Sequence, residues 1–135
     1  MRIGFANGCF DCFHEGHKHF LIECRRRCDY LIVAVNTDES VRRIKGVLRP
    51  VNNLALRMMR VNSYADATIP TDGRISDLIR AIRPAVILRG SDQRDNGVKW
   101  APIEWILRLP EHSTTAILAR HEAKSDAPNI PPGMP

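Results

Sequence analysis

Residues 7–17 read Asn7-Gly8-Cys9-Phe10-Asp11-Cys12-Phe13-His14-Glu15-Gly16-His17, and the fold turns on how they are read. The apolar run Ile3 to Ala6 enters this stretch, which predicts a short buried strand over Arg2 to Asn7. Gly8 turns the chain. Two histidines three positions apart then flank Gly16, where a helix is expected to start. From His17 onward, Phe20, Leu21, Cys24 and Cys28 recur as the apolar stripe of an amphipathic helix, with Arg25, Arg26 and Arg27 largely covering its other side. A strand that turns through glycine into a helix points backbone N–H groups outward, and the helix dipole there favours negative charge. Two imidazoles on that lip could add hydrogen bonds to a phosphate undergoing substitution.

Working outward, the same alternation continues. Tyr30 to Val35 is a continuous apolar run, as expected of a central parallel strand covered on both faces. Asp38 is placed to cap a short helix through Arg43, and Lys45, Gly46 and the Arg49-Pro50 pair mark a loop. Leu54 to Tyr64 reads as a helix, Ala67 to Ile69 as a strand, Pro70 to Gly73 as a turn, and Ile75 to Ile82 as a helix stopped by Pro84. Ala85 to Leu88 is a further buried strand, Gln93 to Gly97 a polar loop, and Ile103 to Leu109 a strand, although Trp105 and Leu107 leave a helix open. Ser113 caps a last short helix, Thr114 to Arg120. Strands alternating with helices predict an α/β fold with a parallel sheet and right-handed crossovers. Ligands of such sheets bind beyond the C-terminal strand ends. The clusters Asn7–His17, Asn36–Asp38 and Arg89–Asp92 each follow a predicted strand, so they converge on one edge.

Composition narrows the classes. The chain has 135 residues, enough for one core. Hydrophobic residues at 44% and charged residues at 26% are those of a soluble globular domain. No apolar run approaches the roughly 20 residues of a membrane helix. The first residues carry no secretory pattern, so a cytoplasmic protein is expected. Net charge is +5, from 20 Lys and Arg against 15 Asp and Glu, which suits an anionic ligand. The arginine run lacks interleaved aromatic residues and reads as a solvated helix face rather than a nucleic-acid patch. Cys9, Cys12, Cys24 and Cys28 crowd the first fifth of the chain. A disulfide framework is not expected in this setting. Their spacing, with His14, His17 and His19 nearby, raises a zinc site. Against it, Cys24 and Cys28 lie on the apolar stripe, where a thiol packs as a small hydrophobe.

No G-x-G-x-x-G and no Walker A loop is present. What stands is G-x-F-D-x-x-H-x-G-H, formed by Gly8, Phe10, Asp11, His14, Gly16 and His17. This resembles the signature of the cytidylyltransferase-like nucleotidyltransferases, whose shared element is H-x-G-H. Leu31 to Gly46, followed by Arg49-Pro50-Val51-Asn52, resembles the adenylyltransferase domain of the heptose-phosphate enzymes, with V-N-x-D, K-G and R-P-V-N in order. Arg57 matches a basic residue after that loop, Arg89-Gly90-Ser91-Asp92 matches a (K/R)-G-G-D element, and Ser113-Thr114-Thr115 matches S-T-T. The similarity covers about residues 3 to 119.

The resemblance implies a single Rossmann-like domain over 1–120; the Pro-rich stretch 121–135, with four prolines from Ala127 on, is expected from its composition to be a disordered tail. It also implies a reaction. A sugar or polyol phosphate attacks the α-phosphorus of a nucleoside triphosphate, and pyrophosphate leaves. The task is to bring anions together and stabilise an in-line transition state. His14, His17 and Lys45 are the implied catalytic groups. Gly8, Cys9, Phe10, Asp11, Gly16, Arg89, Gly90, Asp92, Ser113, Thr114 and Thr115 join the two histidines in holding the nucleotide. Asn36, Asp38, Lys45 and Arg57 are candidates for the acceptor, with Arg57 and Arg89 as phosphate contacts. Mg2+ is expected to bridge phosphates rather than occupy a protein cage, with Asp11 orienting the ion or the first loop. By analogy with relatives, a homodimer is possible; neither nucleic acid nor membrane is an expected partner.

Three departures bear on the substrate. Ala55 replaces an acidic residue that often precedes the family arginine, Gln93 replaces an aromatic after G-G-D, and the stretch from Asp92 to Ser113 is shorter than in the heptose enzymes. Arg108 precedes S-T-T at the spacing of a basic residue in glycerol-phosphate cytidylyltransferases. The sequence reading therefore favours ADP-sugar formation from ATP and a heptose-1-phosphate-like acceptor. A cytidylyltransferase of glycerol-3-phosphate or a similar polyol phosphate is the alternative. A non-catalytic nucleotide-binding or zinc-stabilised module is the rival from another class.

Overall fold

A computed structural model of the chain describes residues 1–91, 93 and 100–107. Strand β1 (Ile3–Gly8) leads to helix α1 (Glu15–Arg26), β2 (Tyr30–Asn36), α2 (Asp38–Lys45), α3 (Leu54–Asn62), β3 (Ala67–Thr71), α4 (Ile75–Ile82), β4 (Val86–Gly90) and β5 (Ile103–Ile106). The five strands form one sheet in the order β3-β2-β1-β4-β5, with every neighbouring pair parallel. This is the expected Rossmann-like α/β architecture.

Strand alternation divides the core. Ala6, Leu31, Val33, Val35, Val86 and Leu88 pack with Leu21 and Cys24 of α1 and Val61 of α3 on one face. Phe5, Ala34 and Ile87 pack with Ile75 and Ile79 of α4 on the other. The apolar stripe of α1 faces inward as expected, and its arginines form ion pairs outside: Arg25 with Asp66, Arg26 with Glu23, Arg27 with Glu23 and Glu104.

From central β1 the chain steps out to β2 and β3, then returns across β1 to β4 and β5. A crevice is expected outside the strand ends at such a reversal. The registers carry its trace. Pairing of β1 with β2 runs to Gly8↔Val35, whereas its pairing with β4 ends at Phe5↔Ile87. Beyond that point β1 and β4 part.

Several boundaries differ from expectation. The cap of α2 is Thr37, whose hydroxyl accepts from the Ser40 N–H at 3.2 Å, not Asp38, which Arg57 engages. Helix α3 ends at Asn62, two residues early, as the Ser63 N–H turns back to the Arg60 carbonyl. The expected turn at Pro70 is strand instead: β3 continues through Pro70 and Thr71 against Val35 and Asn36. An edge strand tolerates a residue with no N–H. β4 runs on to Gly90 because β5 pairs with Arg89 and Gly90. Residues 103–106 are strand, which removes the helical alternative. The expected helix over Thr114–Arg120 and the tail 121–135 lie outside the described residues.

Candidate active site

The turn between β1 and α1 is held by its own side chains. His14 is the N-cap of α1: its Nδ1 accepts from the Gly16 N–H at 3.0 Å. His17 returns the bond, its Nδ1 accepting from the His14 N–H at 3.3 Å. This is a capping box built from two imidazoles, which satisfies helix N–H groups that otherwise lack partners. Because each Nδ1 accepts, each ring carries its hydrogen on Nε2. The rings stack with centroids 3.9 Å apart, and Phe13 and Phe10 bracket His17 at 5.4 and 5.5 Å. Gly8 makes this possible, since a Cβ there would lie 3.0 Å from the Phe10 ring. Phe10 and Cys12 are held at φ 53° and 54°, a region that side chains rarely adopt. Such strain persists only where the surroundings enforce it.

Two buried charges do the enforcing. The Asp11 carboxylate, fully buried, accepts from the N–H groups of Cys12, Val51 and Asn52 and from Arg49 Nε at 2.9 Å. Burial pushes the Asp11 carboxyl up, yet these N–H groups and the Arg49 guanidinium outweigh it and hold it below the ordinary carboxylate range. Arg57, also fully buried, donates to the carbonyls of Asn52, Cys9 and Asn36 and to Asp38 Oδ1 at 2.7 Å. It thereby ties the β1 turn, the end of β2 and residue 52 together. Expected as a phosphate contact, Arg57 has its guanidinium committed to this clamp. Neither Asp11, Asp38 nor Arg57 lines the cavity described next.

A cavity of about 520 Å³ opens at the C-terminal strand ends. Gly8, Cys9, Phe10, His14, Gly16, His17, Asn36, Lys45, Arg89 and Gly90, all expected at the site, line it. Asp92, Ser113, Thr114 and Thr115 lie outside the described residues. The reading from sequence missed several lining residues: Asn7, His19, Phe20, Gly73, Ile75, Gln93 and Ile106. Asn7 was accessible to the strand-end rule, as the last side chain of β1 before Gly8. Gln93 replaces an aromatic with a polar latch: its Oε1 accepts from the Gly90 N–H at 2.8 Å. His19 Nε2 lies 3.2 Å from the Leu107 carbonyl and joins α1 to the exit of β5.

The charged side chains of the described lining are cationic, Lys45 and Arg89, with no carboxylate among them. All four cysteines are free. Burial raises the Cys9 thiol, although Lys45 and Arg57 oppose it, and pushes Cys12 up to about 11, so both stay protonated at neutral pH. Neither is an activated nucleophile. Among the described residues no group of three His, Cys, Asp or Glu side chains is placed to hold a metal ion, so the zinc reading finds no ligand cluster there.

The cytidylyltransferase-like family model matches residues 5–120. The chain belongs to the cytidylyltransferase-like family. It is 41% identical over 130 residues to the bifunctional protein HldE of Acidiphilium cryptum, a match covering 88% of this chain and 27% of that protein. With HldE of Hyphomonas neptunium it shares 40% over 134 residues, again 27% of the relative. The chain thus spans just over a quarter of these relatives. A crystal structure of the lipopolysaccharide core biosynthesis protein from Thermoplasma volcanium superposes with a TM-score of 0.67 at 23% identity, covering 80% of this chain and 96% of that one, and shares the fold. A pantoate-beta-alanine ligase structure from Francisella tularensis, solved with an ATP analogue and beta-alanine, gives 0.56 at 13% identity, covering 78% and 59%.

Proposed function

We propose that the chain transfers AMP from ATP to a heptose-1-phosphate-like sugar phosphate, forming an ADP-sugar and releasing pyrophosphate. The observation that carries this is the pair of imidazoles tied into the start of α1 at the cavity, with Nδ1 occupied and the hydrogen on Nε2. Donors fixed before substrate arrives stabilise developing charge without reorganising. In this reading the acceptor phosphate oxygen attacks the α-phosphorus, the bond to the bridging oxygen breaks, and the electron pair leaves with pyrophosphate. His14 and His17 hydrogen-bond the triphosphate. Lys45, ending α2 at the cavity, neutralises phosphate charge from the opposite side, as does Arg89. No enzyme nucleophile is involved. Ser113, Thr114, Thr115 and Asp92 are proposed to complete the nucleotide site.

The described cavity lining has no carboxylate to hold a divalent cation alone. Mg2+ is therefore proposed to enter with the triphosphate, as part of the substrate. The preference for ATP and heptose rests on the V-N-x-D, K-G and R-P-V-N elements and on the HldE relatives. One observation favours CTP and glycerol phosphate instead: Arg108 ahead of Ser113-Thr114-Thr115. A cytoplasmic setting, where nucleoside triphosphates and sugar phosphates are available, and a homodimer are part of the same reading. Pyrophosphate release from a panel of triphosphates against sugar and polyol phosphates is the test. Turnover with ATP and a heptose-1-phosphate is expected. Turnover with CTP alone overturns the base, and no turnover with any pair overturns the reaction.

A further inference from the structure

Strand alternation sorts the cavity lining into two halves. Phe5 and Ile87 face α4, and so, two residues on, do Asn7 of β1 and Arg89 of β4. Asn36, two past Ala34 in β2, takes the same face. Gly73 and Ile75, at the start of α4, close that half. The α1 half is different: the histidines lie beside Phe20 and Ile106, an apolar flank suited to a base.

Asn7 stands where the sheet parts, two residues beyond the last β1–β4 pair. Its Oδ1 has almost no exposed surface and no hydrogen-bond partner among the described residues, so a hydroxyl in the cavity that Asn7 lines would meet it through a turn of the amide. A buried acceptor left unpaired is costly, so sites that contain one are built for a donor. Asn36 differs: its Nδ2 donates to Ser40 Oγ at 2.8 Å, which fixes its amide. On the reaction proposed above, ionised phosphates only accept hydrogen bonds, so a donor that a substrate offers Asn7 belongs to another part of that substrate. The polar side chains of the α4 half are Asn7, Asn36 and Arg89, and the neutral donor that both substrates carry is a sugar hydroxyl.

We infer that Asn7 is a specificity-determining residue whose side-chain carbonyl accepts a hydrogen bond from a sugar hydroxyl of a bound substrate. This rests on the nucleotidyl-transfer reading. The hydroxyl belongs either to the acceptor sugar or to the nucleotide ribose, and the experiment separates the two. Wild type, Asn7→Ala and the near-isosteric Asn7→Asp, which keeps an acceptor, are assayed by pyrophosphate release. Each meets the parent substrates, singly deoxygenated acceptor sugar phosphates, and 2′- and 3′-deoxy triphosphates. In wild type, one deoxy analogue is expected to lose about tenfold in kcat/KM, the scale of one neutral hydrogen bond. In Asn7→Ala that discrimination falls to about onefold, with the loss in KM for the substrate bearing the hydroxyl; Asn7→Asp retains it. Loss confined to an acceptor analogue assigns the acceptor sugar, and loss confined to a deoxy triphosphate assigns the ribose. If Asn7→Ala discriminates against every analogue as wild type does, the inference is overturned. If Asn7→Ala fails to fold, Asn7→Asp decides: an isosteric acceptor that loses discrimination overturns it too. Failure of the underlying reaction is distinct, since wild type would then release no pyrophosphate.

Discussion

His17 has two duties, and they differ in size. Its Nδ1 completes a capping box, a contribution of about 1 kcal/mol to the start of α1. As a preorganised donor at a reacting phosphate it is expected to contribute far more. His17→Ala is predicted to lower kcat by at least ~100-fold while the cap loss lowers stability by only about 1 kcal/mol. Steady-state pyrophosphate release and urea unfolding on the same preparation check both numbers. Near-wild-type kcat would leave the ring a cap and nothing more. Arg57 reverses the balance. Buried and bonded to three carbonyls and Asp38, it is predicted to destabilise the fold by about 3 kcal/mol when replaced by Met, since buried acceptors then lose their donors. A cost below about 1 kcal/mol in urea unfolding, with activity lost, would return Arg57 to the role of a phosphate contact.

At the scale of elements, the segment between α2 and α3 depends on a single carboxylate. Asp11 gathers the N–H groups of Val51 and Asn52 and the Arg49 guanidinium, so a group from the first turn anchors a loop some forty residues later. Its folded-state pKa lies below the ordinary 3.8, so its stabilisation is complete above that value and is lost as pH falls through the folded-state pKa. The expected outcome is a stability gap between wild type and Asp11→Asn that is full near neutrality and shrinks below about pH 4. Urea unfolding at a series of pH values measures it, and a gap constant into strong acid would refute the latch. Local pattern made much of this level readable. Helix Ile75–Ile82 lies where its spacing and Pro84 put it, and the apolar runs are strands. What escaped depends on contacts remote in sequence. Thr37 and Asp38 are both competent caps, and only the arrival of Arg57 decides between them. Pro70 reads as a turn until its place on an edge strand is known. That Asp11 and Arg57 hold loops, rather than ligands, is written in tertiary bonds that no periodicity reports. The H-x-G-H stretch was legible because its geometry is local, built within four residues.

For the whole molecule, tight packing between layers should be the sensitive point. Gly4 lies mid-sheet, and a Cβ there would meet Cys28 Sγ at 2.8 Å, Cys28 Cβ at 2.9 Å and Leu88 Cδ1 at 3.1 Å. Glycine thus lets the α1–β2 connection rest on β1. Gly4→Ala is predicted to cost about 1–3 kcal/mol, seen as a lowered midpoint in thermal unfolding. Adding Cys28→Ala should restore only part, because the Cβ contact persists; full restoration would locate the clash in the sulfur alone.

The way α1 is capped also limits what the molecule can use as an attacking group. The His14 and His17 rings each have the Nδ1 lone pair engaged by a backbone N–H, and the rest of the described lining adds amides, cations, a protonated thiol, apolar groups and a third imidazole, His19, whose Nε2 lies 3.2 Å from the Leu107 carbonyl. Neither capping ring keeps a lone pair free to accept a proton. An alcohol or amine would arrive with a hydrogen that neither of these rings could take, whereas a phosphate monoester comes already ionised. The start of one short helix therefore selects for acceptors that bring their own negative oxygen.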